Sequence, residues 1–268
     1  LLASKGQGKA RFSQLQRRPL FIHVRTALNG ESQIFHTHSS ERIANFKEQI
    51  ARHFEVPPLC QSLIVEDQFS GTQICEDHDY VGKWCPQNVR ELDIVMIVSD
   101  CKAQAYLKSH EIFSRLEGVE AMTKLALKGS SEALETLISC LHDDALPVRL
   151  RIAAGISKIA KSGNDQAIVA LGACMGFAFE DDLNDVTHAT ETLAYLLKEG
   201  NAPAWDLITG LLKNADIPLG REAVNVLAIA AFFHKSSKAL FAFRECVEHD
   251  NATIRQSAVL GIAFAARP

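Results

Sequence analysis

The sequence predicts an α+β domain followed by an all-α array of helical repeats. Two changes of pattern and one recurrence carry that reading. Between residues 20 and 99 apolar residues alternate with period two, interrupted by one amphipathic helix. From Cys101 onward the period is that of helices throughout. Within that second part, four segments align with one another without gaps. The 268 residues suffice for two ordinary domains, and 47% hydrophobic with 22% charged residues is a globular composition.

Residues 1–18 hold Lys5, Lys9, Arg11, Arg17 and Arg18 and no acid. They read as a basic tail, and both a solvated tail and the remnant of an organelle-targeting segment fit that composition. Strand alternation begins at Leu20, with Leu20, Ile22 and Val24 on one face and Phe21, His23 and Arg25 on the other. The Asn-Gly pair within Leu28–Glu31 signals a hairpin leading to a second strand around Gln33–Thr37. Ser40 is placed to cap a helix, with Glu41 in its first turn. Ile43, Phe46, Ile50 and Phe54 form the apolar stripe of that helix, and Pro57 and Pro58 forbid its continuation. A strand at Ser62–Val65, loops, and a last strand at Glu91–Ser99 complete the domain.

Those segments, in that order and spacing, resemble ubiquitin. The stretches "FIHVRTALNG", "IANFKEQIARHFEVPPLCQSLI" and "DHDYV" carry the likeness over residues 20–99, the double proline and the Asp-Tyr pair most specifically. The resemblance implies a β-grasp fold for residues 19–100. A conjugated modifier needs a free Gly-Gly carboxyl end, whereas "VMIVSDCKAQ" runs on into more protein, so this copy is expected to be integral and unconjugated. Ile64 and Val95 occupy positions like those of ubiquitin's exposed hydrophobic patch. Such an outward pair is a contact site for a partner, or for the second domain of the same chain.

The second part, residues 101–268, repeats. "VRLRIAAGISKIA", "DVTHATETLAYLL", "LGREAVNVLAIAA" and "IRQSAVLGIAFAA" place Ile156, Leu193, Leu227 and Ile262 in one column, spaced 37, 34 and 35 residues apart. Ile152, Ala189, Ala223 and Ala258 share the column four residues earlier, and Ala121 and Leu125 belong to a fainter copy. Each copy has a partner helix before it, around Glu132–Leu141, Asp165–Ala178, Pro203–Lys213 and Ser237–Glu248. The intervening turns offer Asp or Asn caps and, twice, a first-turn proline. Small columns let paired helices approach, and the aliphatic column fills the core between consecutive pairs.

This pattern resembles HEAT repeats, best in "DDALPVRLRIAAGI" and "DNATIRQSAVLGI". The resemblance implies an α-solenoid with an extended binding surface lined by second helices. It also implies that Arg149 and Arg255 pair with turn aspartates of adjacent repeats, though Val186 and Gly220 interrupt that series. Arg151, His188 and Glu222 share one polar column on the second helices, and Glu191 and Asn225 share the next. These five, with Ile64 and Val95, are the candidate protein-binding residues. The last helix stays apolar almost to its end, where a solenoid ordinarily has a polar cap, so the array is expected to continue or to meet another subunit.

Little in the chain suggests chemistry. Net charge is −4, with 11 basic and 12 acidic residues up to residue 100 and 17 and 20 after it, which argues against a nucleic-acid groove. No apolar run reaches the length of a membrane span. Seven scattered cysteines without a CxxC pair suggest reduced thiols, hence an intracellular reducing compartment, the cytoplasm or an organelle. Cys75, His78 and Cys85 offer three ligands where structural zinc wants four, and His36 and His38 read as surface histidines. Glu180–Asp182 read as turn residues, and the "KGQGKA" glycines at Lys5 as tail. No phosphate loop, nucleophile elbow or HExxH occurs. The expectation is a non-enzymatic adaptor that binds other proteins and needs neither cofactor nor metal. The alternatives are an accessory subunit of a large assembly and, because some bilin lyases resemble HEAT repeats, a lyase.

Overall fold

The computed structural model describes residues 17–27, 29–67, 71–85, 88–176, 184–213 and 217–265. Most of the basic tail, the acids Glu180–Asp182, Leu28 of the hairpin and the last three residues lie outside them. The chain divides into two compact units, Leu1–Ala103 and Gln104–Pro268.

The first unit is built on a mixed sheet. Strand β1 (Pro19–Thr26) pairs antiparallel with β2 (Ser32–His38) and parallel with β5 (Glu91–Val98). Strand β5 pairs antiparallel with β3 (Gln61–Asp67), and β3 with β4 (Gly71–Ile74), giving the order β2-β1-β5-β3-β4. The period-two pattern has its expected cause. Leu20, Ile22, Val24, Leu63, Val65, Ile94 and Met96 are buried, as are Ile43, Phe46, Ile50 and Phe54 along α1 (Ile43–Phe54). Phe35 of β2 joins the two layers, its ring 5.7 Å from Phe46 and 6.2 Å from Phe54.

Two local expectations fail here. Ser40 does not cap α1: the N-cap residue is Arg42, which makes no side-chain cap. The orphan amides of Ile43 and Ala44 donate instead to the carbonyls of Asp79 and Asp77, at 2.9 and 3.1 Å. That loop is pinned by the buried ammonium of Lys47, which donates to Asp77 Oδ1 at 2.6 Å, and by Arg42 over the Tyr80 ring. Strand β4 is the second correction, since its residues read as loop. Four residues beginning with Gly71 are too short to show a period, and pairing with β3 makes them a strand.

Helix α2 (Cys101–Leu107) follows β5 directly. Beyond it lie α3 (Ile112–Leu127), α4 (Ser131–Ser139), α5 (Leu146–Lys161), α6 (Asp165–Gly176), α7 (Asn184–Lys198), α8 (Ala202–Lys213), α9 (Ile217–Ala228), α10 (Ser237–Val247) and α11 (Ala252–Ala265). Helix α9 continues into a π-helical turn, Ile229–Phe233. The pairs are α4/α5, α6/α7, α8/α9 and α10/α11, and each first helix packs on its own second. The second helices also pack serially, α3 on α5, α5 on α7, α7 on α9 and α9 on α11. Ile156, Leu193 and Leu227 are therefore at most 1% exposed, with Ile152, Ala189, Ala223 and Ala258 wholly buried beside them. Ile262, in the same column, is 45% exposed because α11 is the last described helix of the stack.

The strongest repeat in the chain is one that the aligned columns do not contain. Gly129, Gly163, Gly200 and Lys235 all have positive φ, ending the preceding helix in the left-handed region. The next residues, Ser130, Asn164, Asn201 and Ser236, each accept a hydrogen bond from the amide three residues on, at 3.2, 3.0, 2.9 and 3.3 Å. Those amides belong to Ala133, Ala167, Ala204 and Ala239, all fully buried. The side-chain caps thus head the first helices. Before the second helices the expected caps are met in part. Asn251 caps α11 by accepting from Thr253 at 2.9 Å, whereas Asp143 accepts at 2.9 Å from Ala145, the N-cap residue of α5, and residues 177–183 and 214–216 lie outside the described residues.

The arginine–aspartate contacts also differ from expectation. Arg149 Nη1 donates to the main-chain carbonyls of Asp143 and Asp144, and Arg255 Nη1 to those of His249 and Asp250. Both arginines brace their own helix entry. Arg115 on α3 makes the side-chain pairing, its Nε 3.1 Å from Asp143 Oδ2 and its Nη2 2.7 Å from Asp144 Oδ1.

Candidate functional site

The outer face of the sheet carries the first candidate surface. With Leu63, Val65, Ile94 and Met96 turned inward, Ile64 and Val95 point outward and are half-buried. They are direct partners across β3 and β5, and Ile64 in turn partners Ile74 across β3 and β4. The row Val95–Ile64–Ile74 is therefore contiguous, with Ile97 beside it on β5; Ile74 is 58% and Ile97 39% exposed. Arg25, paired with Val95, begins a polar rim that includes Asp93 and Glu66. Sequence reasoning found the first two members of this patch. It missed Ile74 because β4 was not legible.

The second surface lies on the exposed faces of α5, α7 and α9. Arg151, His188, Glu191 and Asn225 are exposed. Glu222 departs from its column: it is 9% exposed, and Asn225 Nδ2 donates to its Oε2 at 3.2 Å. Glu191 belongs with residues that the sequence did not flag. Together with Lys161, Tyr195, Ile229, Phe233 and His234 it lines a groove of about 610 Å³. The rings of Tyr195 and His234 meet edge to face, 6.5 Å apart at 83°. Tyr195 was findable as the residue one turn past Glu191, whereas Phe233 is placed by the π-turn, which leaves no trace in the hydrophobic pattern.

The cysteines are arranged as packing groups. Burial pushes the Cys60 and Cys246 thiols up to about 11 and the Cys75 thiol up to about 12, and Cys85 is raised by the same cause. Such thiols stay protonated and unreactive at neutral pH. Cys75 and Cys85 are buried while the His78 side chain is 80% exposed, so these three do not converge. Among the described residues, no group of three His, Cys, Asp or Glu could hold a metal, and no helix is long and apolar enough to cross a membrane.

No family model matches the chain, and no curated protein gives a significant match. Among solved structures, one likeness is to the complex of CpcE and CpcF of phycocyanin lyase from Nostoc sp. PCC7120. It has 18% identity and a TM-score of 0.35, and covers 64% of this chain and 66%, just under two thirds, of that one. Another is to ATBAG1 in complex with HSP70, with 10% identity, a TM-score of 0.25, and 83% and 96% coverage. Scores this low do not bear on fold or function.

Proposed function

We propose that the chain is a non-enzymatic protein-interaction adaptor, its first unit a ubiquitin-like β-grasp domain and its second a HEAT-type repeat array. The strand order, with β1 parallel to β5 at the centre, and the single helix α1 with its buried stripe support the first assignment. Serial packing of second helices and the recurring cap support the other. The observation that carries the functional reading is the row Val95–Ile64–Ile74. Three aliphatic side chains stand side by side on the outer face of a sheet whose inner face is already filled. Exposed apolar surface of this kind serves contact rather than folding. Because β5 leads directly into α2, the unit has no free carboxyl end of its own for conjugation.

The test is affinity capture with the intact chain, comparing wild type with Ile64→Ala and Val95→Ala. Partners held by the sheet should be lost from both variants while their thermal unfolding stays unchanged. Undiminished capture would argue against the sheet as the recognition surface. A second reading, as a fixed subunit of a larger assembly, draws on α10 and α11, where Phe241, Val259, Leu260 and Ile262 are 45–68% exposed. A constant stoichiometric set of co-purifying proteins, insensitive to Ile64 and Val95, would favour it.

A further inference from the structure

The exposed stripe of α5 carries Arg151, Lys158 and Lys161, spread along about 15 Å at 1.5 Å per residue. None of the three has a hydrogen bond or ion pair among the described residues. Lys161 forms one wall of the groove described above. Glu191 and Tyr195, one turn apart, form the α7 wall, and Ile229, Phe233 and His234 the wall beyond it. Phe233 is 61% and Tyr195 41% exposed. The π-turn inserts one residue per turn, which swings Phe233 outward rather than into the core. An apolar recess is thus walled on one side by Lys161, from which the exposed cations Lys158 and Arg151 lead away along α5. Among the described residues these three are unpaired, and Glu191 is the carboxylate that lines the recess.

We propose that this groove docks an acidic peptide segment of a partner protein through an apolar anchor. The anchor, an aliphatic or aromatic side chain, would sit over Ile229 between Tyr195 and Phe233. The flanking carboxylates would run along α5 to Lys161, Lys158 and Arg151. Glu191 sets the orientation, since it repels a carboxylate on the α7 side and so favours the acids lying toward α5. This rests on the reading of the second unit as a protein-binding array, and names the chemistry that the array would select.

Fluorescence anisotropy on the full chain tests it with three labelled probes. One is a short peptide with a central Leu-Phe pair flanked by glutamates, the second has lysines for the glutamates, and the third is a single-stranded oligonucleotide. The acidic probe should bind at least about tenfold more tightly than its lysine counterpart at low salt. Phe233→Ala should weaken it about five- to thirty-fold, the usual cost of losing an anchor. Lys158→Glu with Lys161→Glu should reverse the preference, with the unfolding midpoint unchanged. Tighter binding of the lysine probe would overturn the assignment: Glu191 and the two rings would then hold a cation, and protein binding by this unit would survive. Oligonucleotide binding as tight as the acidic probe and indifferent to Phe233 would also overturn it, leaving a bare polyanion surface, as would no binding of any probe. Ile64 and Val95 lie in the other unit, so failure of the capture experiment there is distinguishable from failure here.

Discussion

Truncating the aliphatic column one repeat at a time tests whether the helices stack as described. Leu193 is wholly buried on α7, which packs on both α5 and α9. Leu193→Ala removes three carbons from the core, about 2 kcal/mol of transfer at 0.8 kcal/mol per methylene. A cavity that closes only partly adds to this, for a total of about 3–4 kcal/mol. Ile262 holds the same column in α11 but is 45% exposed. Its truncation opens no closed cavity, and alanine is the better helix former, so Ile262→Ala should cost about 1 kcal/mol or less. The assay is urea unfolding in a Trp84→Phe background, which leaves Trp205 as the sole indole. Trp205 is buried in α8 and donates its Nε1–H to the Leu197 carbonyl at 3.2 Å, so it reports on the α7–α8 region. Circular dichroism recorded alongside catches fraying of α11 that Trp205 would miss, as expected where repeats couple only to neighbours. Equal losses from the two truncations would refute the stacking register.

Further outcomes follow from single groups. Lys235 stands at φ 55 where the other repeats have glycine, so Lys235→Gly should stabilise the second unit by about 0.5–1 kcal/mol, measured by the same urea titration. Asp79 is held below its ordinary pKa chiefly by the hydrogen bond from Lys83, 2.7 Å away. Its contribution is complete above the unfolded value of 3.8 and is lost as pH falls through the folded pKa. The melting temperature of the first unit should therefore drop below about pH 4, and less steeply in Asp79→Asn. In native protein at pH 8, a thiol reagent should modify exposed Cys101 quickly and leave Cys60, Cys75 and Cys246 until unfolding.

Much of the fold was legible because burial imposes a period. Leu20, Ile22 and Val24, the stripe from Ile43 to Phe54, and the column from Ile156 to Leu227 are all read directly from that rule. What escaped depends on contacts remote in sequence or on short local geometry. The α1 cap comes from carbonyls of Asp77 and Asp79, more than thirty residues downstream, so the nearby Ser40 misled. Strand β4 exists through its pairing with β3. Arg115 became the aspartate partner because α3 abuts the turn before α5, in a repeat too degenerate for its columns to locate the arginine. Glu222 sits at the flank of its face, where packing rather than spacing decides exposure. The Gly-Ser and Gly-Asn pairs that head the first helices were visible in the letters. They stood out less than the Asp and Asn turns inside each helix pair because they fall outside the aligned segments, and in the last copy Lys235 replaces the glycine.

The claim that the outward row of the sheet is a recognition surface is tested most directly by affinity for one captured and purified partner. Isothermal titration of that partner against wild type, Ile64→Ala and Val95→Ala gives three dissociation constants. Each truncation should weaken binding about five- to thirty-fold, with no change in the melting of the first unit. Dissociation constants unchanged by both substitutions, in protein that remains folded, would contradict the account.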